Sequence, residues 1–151
     1  MSTVSGGIIT SAAANNLWDD VTAPEASAGD TEHRCVYVHN NHGSLTLQNA
    51  VLWVDTSSSG TTSPDTSIDV ALDSAAVGST AASTSANEST APTGGTAPTF
   101  AGTAVSKCTA LSIGDIAAGS KKAFWVKRVV TAGTAAYSDV ASFRVEGDTA
   151  P

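Results

Sequence analysis

Large apolar side chains occur in this chain only in short runs, separated by stretches of alanine, serine, threonine and glycine. Those four residue types make up 79 of the 151 residues. An amphipathic helix needs apolar residues every three or four positions over several turns, and no segment sustains that period. Short strands closing on small-residue turns are what such a pattern can build. The 26 alanines supply much of the 41% hydrophobic content, so the material for a core is modest and must be concentrated in the strands. Only 14% of residues are charged and the apolar ones are clustered, which is not the composition of a disordered chain. One domain of about 100–120 packed residues with small-residue extensions is expected.

Residues 1–30 carry little periodicity. Ile8, Ile9, Leu17 and Trp18 stand as isolated anchors there, and the segment reads as an extended N-terminal arm. A short helical turn over 12–18, capped by Ser11, is the alternative. Pro24 and Gly29-Asp30 mark a turn. Residues 33–39 are rich in β-branched and aromatic side chains and end in the turn cluster Asn40, Asn41, His42, Gly43. Residues 45–55 form a second strand region, with Asn49 marking a bulge or bend. Over 67–73, Ile68, Val70 and Leu72 alternate with Asp69, Ala71 and Asp73, the cleanest period of two in the chain.

Residues 74–99 are almost wholly Ala, Ser, Thr, Gly and Pro, and predict a flexible excursion unless a neighbour orders them. Strand signals resume at 105–113, 122–130 and 140–145. Six or seven strands with turns between them predict an all-β fold, an antiparallel β-sandwich of immunoglobulin-like or jelly-roll type. It would span 31–148, with 74–104 as an inserted loop and 1–30 as the arm. Trp53 and Trp125 fit either the core or a covered outer face.

The chain holds 14 acidic and 7 basic residues, a formal charge of −7. Phosphate binding needs clustered Lys and Arg, and the one cluster, Lys121-Lys122 with Lys127-Arg128, lies in an apolar strand pattern. No nucleic acid is expected as a partner. The N-terminus has neither the basic nor the apolar region of a secretory signal, and no run approaches the ~20 apolar residues of a membrane span. A soluble protein made in the cytoplasm, without a membrane partner, is expected. Cys35 and Cys108 both sit in strand-like runs and read as two small buried thiols rather than a disulfide.

Three constellations bear on chemistry. His39 and His42, with His33 nearby, could ligate a metal, but structural zinc takes four ligands and the chain has only three histidines. Asp65, Asp69 and Asp73 share parity, yet at ~3.3 Å per residue neighbours stand roughly 13 Å apart, too far for one ion, so a solvated acidic face protecting a sheet edge is expected. Cys35 could meet His33 or His39 on one strand face, but nothing supplies an orienting group or an oxyanion hole. Neither enzymatic activity nor a cofactor is expected.

Several stretches carry a likeness. They are Asn16-Leu17-Trp18-Asp19-Asp20-Val21, then Ala28-Gly29-Asp30-Thr31-Glu32-His33-Arg34-Cys35-Val36-Tyr37-Val38-His39-Asn40, then residues 45–54 ending Val51-Leu52-Trp53-Val54. The run Leu111 to Gly119, Trp125-Val126-Lys127-Arg128 and Phe143-Arg144-Val145-Glu146-Gly147-Asp148 belong with them. Together they resemble virion structural proteins of tailed bacteriophages, of the small capsid cement or decoration type, over residues 16–73 and 108–148. The corner Ile113-Gly114-Asp115-Ile116-Ala117-Ala118-Gly119 is also similar to corners of bacterial immunoglobulin-like modules. The likeness implies a protein on the capsid surface of the virion, made in the host cytoplasm, that clamps the assembled shell. Its partners would be the major capsid protein and copies of itself, as a dimer or trimer. A tail or fibre component shares every feature above, and a carbohydrate- or surface-binding module using Trp18, Trp53 or Trp125 is a further alternative. Ile8, Ile9, Leu17 and Trp18, apolar anchors outside the strands, are the candidate interface residues; the alternative for Leu17 and Trp18 is that they cap their own domain.

Overall fold

The structure, a computed structural model, describes residues 17–55, 66–100, 102, 104–133 and 141–149. Six strands dominate it: β1 (Asp30–His39), β2 (Leu47–Asp55), β3 (Thr66–Leu72), β4 (Leu111–Ile116), β5 (Lys121–Val130) and β6 (Ser142–Thr149). They form two antiparallel sheets of three strands, ordered β1-β5-β3 and β4-β2-β6. The expected antiparallel all-β architecture is therefore present.

Strand β5 organises the first sheet. Its Val130 pairs with Asp30 of β1 and Thr66 of β3, and its Phe124 pairs with Val36 and Leu72, in unbroken register on both sides. Even-numbered residues of this sheet face the second one. Phe124, Val126 and Val70 meet Leu52 and Val54 of β2, together with Ala104, in one buried cluster. The rings of Phe124 and Phe143 lie 6.3 Å apart at 58°, an edge-on contact between the sheets. Burying the Val, Leu and Phe side chains among them stabilises the fold by about 1.5–3 kcal/mol each.

Local chemistry explains where the elements begin, bend and end. Asn49 has φ of 51°, and the register of β2 shifts around it against both neighbours, which is the expected bulge. The Asp115 carboxylate accepts the Asn49 N–H at 2.9 Å and holds the backbone there. The strand expected from 105 starts only at Leu111, because Lys107–Thr109 forms a 3₁₀ turn. Cys108 is consequently exposed, not buried, and both cysteines are free. The turn expected at Pro24 is instead a short helix, α1 (Ala23–Ala28). Glu25 accepts the Thr22 N–H at 2.7 Å, and Pro24 sits in the first turn where its missing donor costs nothing.

The largest departure from expectation is the low-complexity segment. Residues 74–100 do not leave the domain; they are fastened across the outward face of the β1-β5-β3 sheet and, at Glu88, to the edge of β1. The fastening starts at Asp73, which is 2% exposed. One carboxylate oxygen accepts the N–H groups of Ala75 (2.8 Å) and Ala82 (2.7 Å). The other accepts the N–H of Ser83 (3.1 Å) and Nε1–H of Trp125 (3.0 Å). Lys122 Nζ donates to the carbonyls of Asp73 (2.8 Å) and Ala75. Further along, the Tyr37 hydroxyl accepts the Ala81 N–H, Thr84 and Thr93 bridge antiparallel to each other, and the His33 N–H donates to the Glu88 carbonyl at 2.7 Å. Trp125, 4% exposed, lies on this covered face, opposite in parity to its neighbours Phe124 and Val126.

The expectation of a flexible excursion failed because it counted apolar side chains. This segment is held by backbone donors converging on one buried anion, and small residues are what let the backbones converge. A Cβ on Gly95 would stand 2.8 Å from Ser74 Oγ and 2.9 Å from Ala82 Cβ. Asp73 itself was expected on a solvated acidic edge. Strand β3 is indeed a sheet edge, but Asp73 is buried, and Asp69 pairs with Lys127 at 2.7 Å.

Burial alone would raise the Asp73 pKa. The N–H groups of Ala75, Ala82 and Ser83 and the Trp125 indole outweigh it and bring the carboxyl down to about 2. Its ionised form therefore stabilises the fold above the ordinary value of 3.8, and that contribution is lost as pH falls toward 2. Asp73→Ala leaves buried donors without an acceptor and should cost about 3 kcal/mol, read as a lower urea midpoint. Asp73→Asn should lack the share of acid destabilisation that the wild type shows between pH 4 and pH 2.

Candidate functional site

Where the chain enters the domain, charged residues stand at positions whose parity faces inward. Glu32 and Arg34 of β1 and Arg128 of β5 are such residues, with Glu32 and Arg128 directly paired across the strands. A charge at an inward position costs several kcal/mol unless it is matched. Here each is matched. Arg128 forms an ion pair with Glu32, which is 2% exposed, and Arg34 pairs with Glu88 of the fastened segment. Burial raises the Glu32 pKa in spite of the Arg128 charge beside it.

The two guanidinium groups flank Trp18. Their central carbons lie 5.4 Å (Arg34) and 5.1 Å (Arg128) from the indole ring centroid, within range of a cation–π contact. Arg34 Nε donates to the Leu17 carbonyl at 3.2 Å, and Arg128 Nη1 donates to the Asp19 carbonyl at 3.1 Å. Arg128 Nη2 is also 3.8 Å from the Asp19 carboxylate. Residues 17–19 are thus held through both main chain and side chain.

Leu17 and Trp18 are half-buried and pack against the domain's own core cluster. Ile8 and Ile9, the other candidate interface residues, lie outside the described residues, as do Ser11 and most of the alternative helical turn. The clamp around Trp18 was not evident from sequence. Its signal was the presence of Glu32, Arg34 and Arg128 at strand positions of core parity.

The other constellations are separated by the fold. His33 sits beneath the fastened segment at one end of β1. His39 and His42 lie toward the other end, where His39 Nε2 is 3.2 Å from the Gly119 carbonyl and His42 Nδ1 accepts the N–H groups of Ser44 and Leu45. Among the described residues no three His, Cys, Asp or Glu side chains gather around a point that could hold a metal. The Cys35 thiol is pushed up to about 11 by burial, with the Asp73 charge adding to it, opposite to what a nucleophilic cysteine needs. An open depression of about 510 Å³ lies beside the β2 bulge, bordered by Leu47, Asn49, Val51 and Gly147, with the Lys107–Glu146 ion pair (2.6 Å) on its rim.

Among the described residues, no helix is long and apolar enough to cross a membrane. All seven basic side chains have a partner within the chain: Arg34, Lys107, Lys127, Arg128 and Arg144 in ion pairs, Lys121 over the Tyr37 ring, and Lys122 on backbone carbonyls. No family model matches this chain, and neither does any curated protein or solved structure.

Trp18→Ala should destabilise the domain by about 2 kcal/mol, since a half-buried indole is lost together with two cation contacts. Thermal unfolding of the variant checks this. Trp18→Phe, which keeps an aromatic face for both cations, should recover about half of the loss.

Proposed function

We propose that this chain is a structural virion protein, a cement or decoration protein that binds and stabilises an assembled phage capsid shell. In this reading the two sheets form a β-sandwich of immunoglobulin-like or jelly-roll type. The major capsid protein and further copies of the chain, in a dimer or trimer, are its partners on the capsid surface.

The clamp on Leu17 and Trp18 is the observation that carries the reading. A segment that reaches a neighbour transmits force only if its root is fixed to a rigid body. Residues 17–19 are tied to the central strand β5 through Arg128 and to β1 through Arg34. The stretches that resemble cement proteins supply β1, β2, β4, β6 and the second half of β5. The charge distribution supports a protein partner, because all seven bases have partners within the chain while the acids outnumber them two to one. A neutral or basic protein surface suits that exterior better than a phosphate backbone does. In this reading the segment that precedes Leu17 makes the contact with the shell.

Removing residues 1–16 tests the proposal. The truncated protein should keep the circular dichroism and melting temperature of the intact chain, yet bind empty shells at least tenfold more weakly in a sedimentation assay. Equal binding by both proteins would overturn the role given to the N-terminal segment. Imaging of particles carrying labelled protein should place it on the capsid; label confined to the tail would overturn the assignment.

A further inference from the structure

The segment 74–100 is fastened to its sheet at two places of different chemistry. At Asp73 the bond is between backbone donors and a buried carboxylate. At the other end, around Glu88 and Phe100, it is built on an imidazole. His33 is 7% exposed. Its N–H donates to the Glu88 carbonyl at 2.7 Å, and Nδ1 lies 3.3 Å from the same oxygen. Its ring lies 5.6 Å from the Phe100 ring at 59°. One residue of β1 thus makes both the backbone and the side-chain contact to the overlying segment.

We propose that this second fastening is an acid-released latch, in which protonation of His33 frees residues 85–92, around Glu88, from β1 while the Asp73 end, to which Gly94 and Thr96 are bonded through Ser83 and Ser74, stays bound.

The surroundings of His33 disfavour a positive charge. From β5, Lys127 stands directly opposite in register, with its Nζ 5.2 Å from the Phe100 centroid, so a second cation would stand beside the same ring. From β3, Asp69 is engaged by Lys127 at 2.7 Å. From the overlying segment, the Glu88 carboxylate is engaged by Arg34 of β1. On the opposite face, Glu32 is engaged by Arg128. Every nearby carboxylate already has a cation. Burial lowers the His33 pKa from 6.5, Lys127 lowers it further, and the Glu88 carbonyl offsets only part of this.

The sign follows. His33 takes up a proton more readily once the segment has lifted, so the open state gains protons as pH falls below about 6.5. The equilibrium for opening can then rise by up to about tenfold per pH unit, the limit for one proton. Asp73, with its carboxyl near 2, stays ionised throughout this window, so its contacts are unaffected.

Amide hydrogen exchange on the full chain between pH 7.5 and pH 5, corrected for intrinsic rates, tests the latch. Protection of the His33 amide, whose acceptor is the Glu88 carbonyl, should fall by several-fold or more, while that of Ala82 and Ser83, bonded to Asp73, and of Thr84 and Thr93, bonded to each other, should hold constant. In His33→Phe, which preserves the contact with Phe100 but cannot titrate, the fall should vanish. If that variant does not fold, His33→Gln serves the same purpose. Constant protection at His33 in the wild type would overturn the proposal. So would a pH-dependent fall that survives in the non-titrating variant.

Discussion

The carboxylate of Asp73 is the contact on which the outward half of the molecule depends. It lies just past β3 and gathers three backbone N–H groups and the indole of Trp125 from the central strand. A buried anion without partners would be expelled or protonated; one with four donors is stable and sets the path of the chain that follows it. The next residues are thereby turned back over the sheet. Trp125, Ala71 and Ala123, which would otherwise face water, are 4%, 1% and 1% exposed. The middle of the β1-β5-β3 sheet is therefore covered on both faces, although the chain contains few bulky residues.

The same economy governs the charges. With only 7 bases against 14 acids, each cation is used internally, and the two most deeply placed arginines serve the entry of the chain. Arg34 and Arg128 each satisfy a carboxylate, a backbone carbonyl and one face of Trp18. An arginine plane can do all three at once, because its donors point outward in the plane while its faces remain free to stack. Lysine at either position would lose the stacking or the second hydrogen bond. The proposed attachment of a neighbour through the N-terminal segment draws on this rigidity at residues 17–19.

The strands were legible in the sequence because their signal is carried by large side chains at a period of two. Ile68, Val70 and Leu72, the run from Lys122 to Val130, and the bulge at Asn49 all lie where the pattern put them. Helix α1 was missed although its Thr22–Glu25 spacing and Pro24 were visible, because one turn of helix has no apolar periodicity to announce it. The course of residues 74–100 was not legible, because what holds it is the backbone. Which N–H groups converge on a carboxylate depends on a pairing across the sheet, between Asp73 and Trp125, that no local pattern reveals. The clamp around Trp18 was hidden for a similar reason. Its three charged residues look like surface residues until the registers of β1 and β5 place them inward.

The central claim is that a low-complexity segment is held as part of the domain by its own chain, without a neighbour. Backbone ¹⁵N relaxation on the isolated protein in solution tests it most directly. The account predicts order parameters for residues 74–100 close to the ~0.85 of the strands. Values below about 0.6 across that segment, in a protein whose strands are rigid, would contradict it.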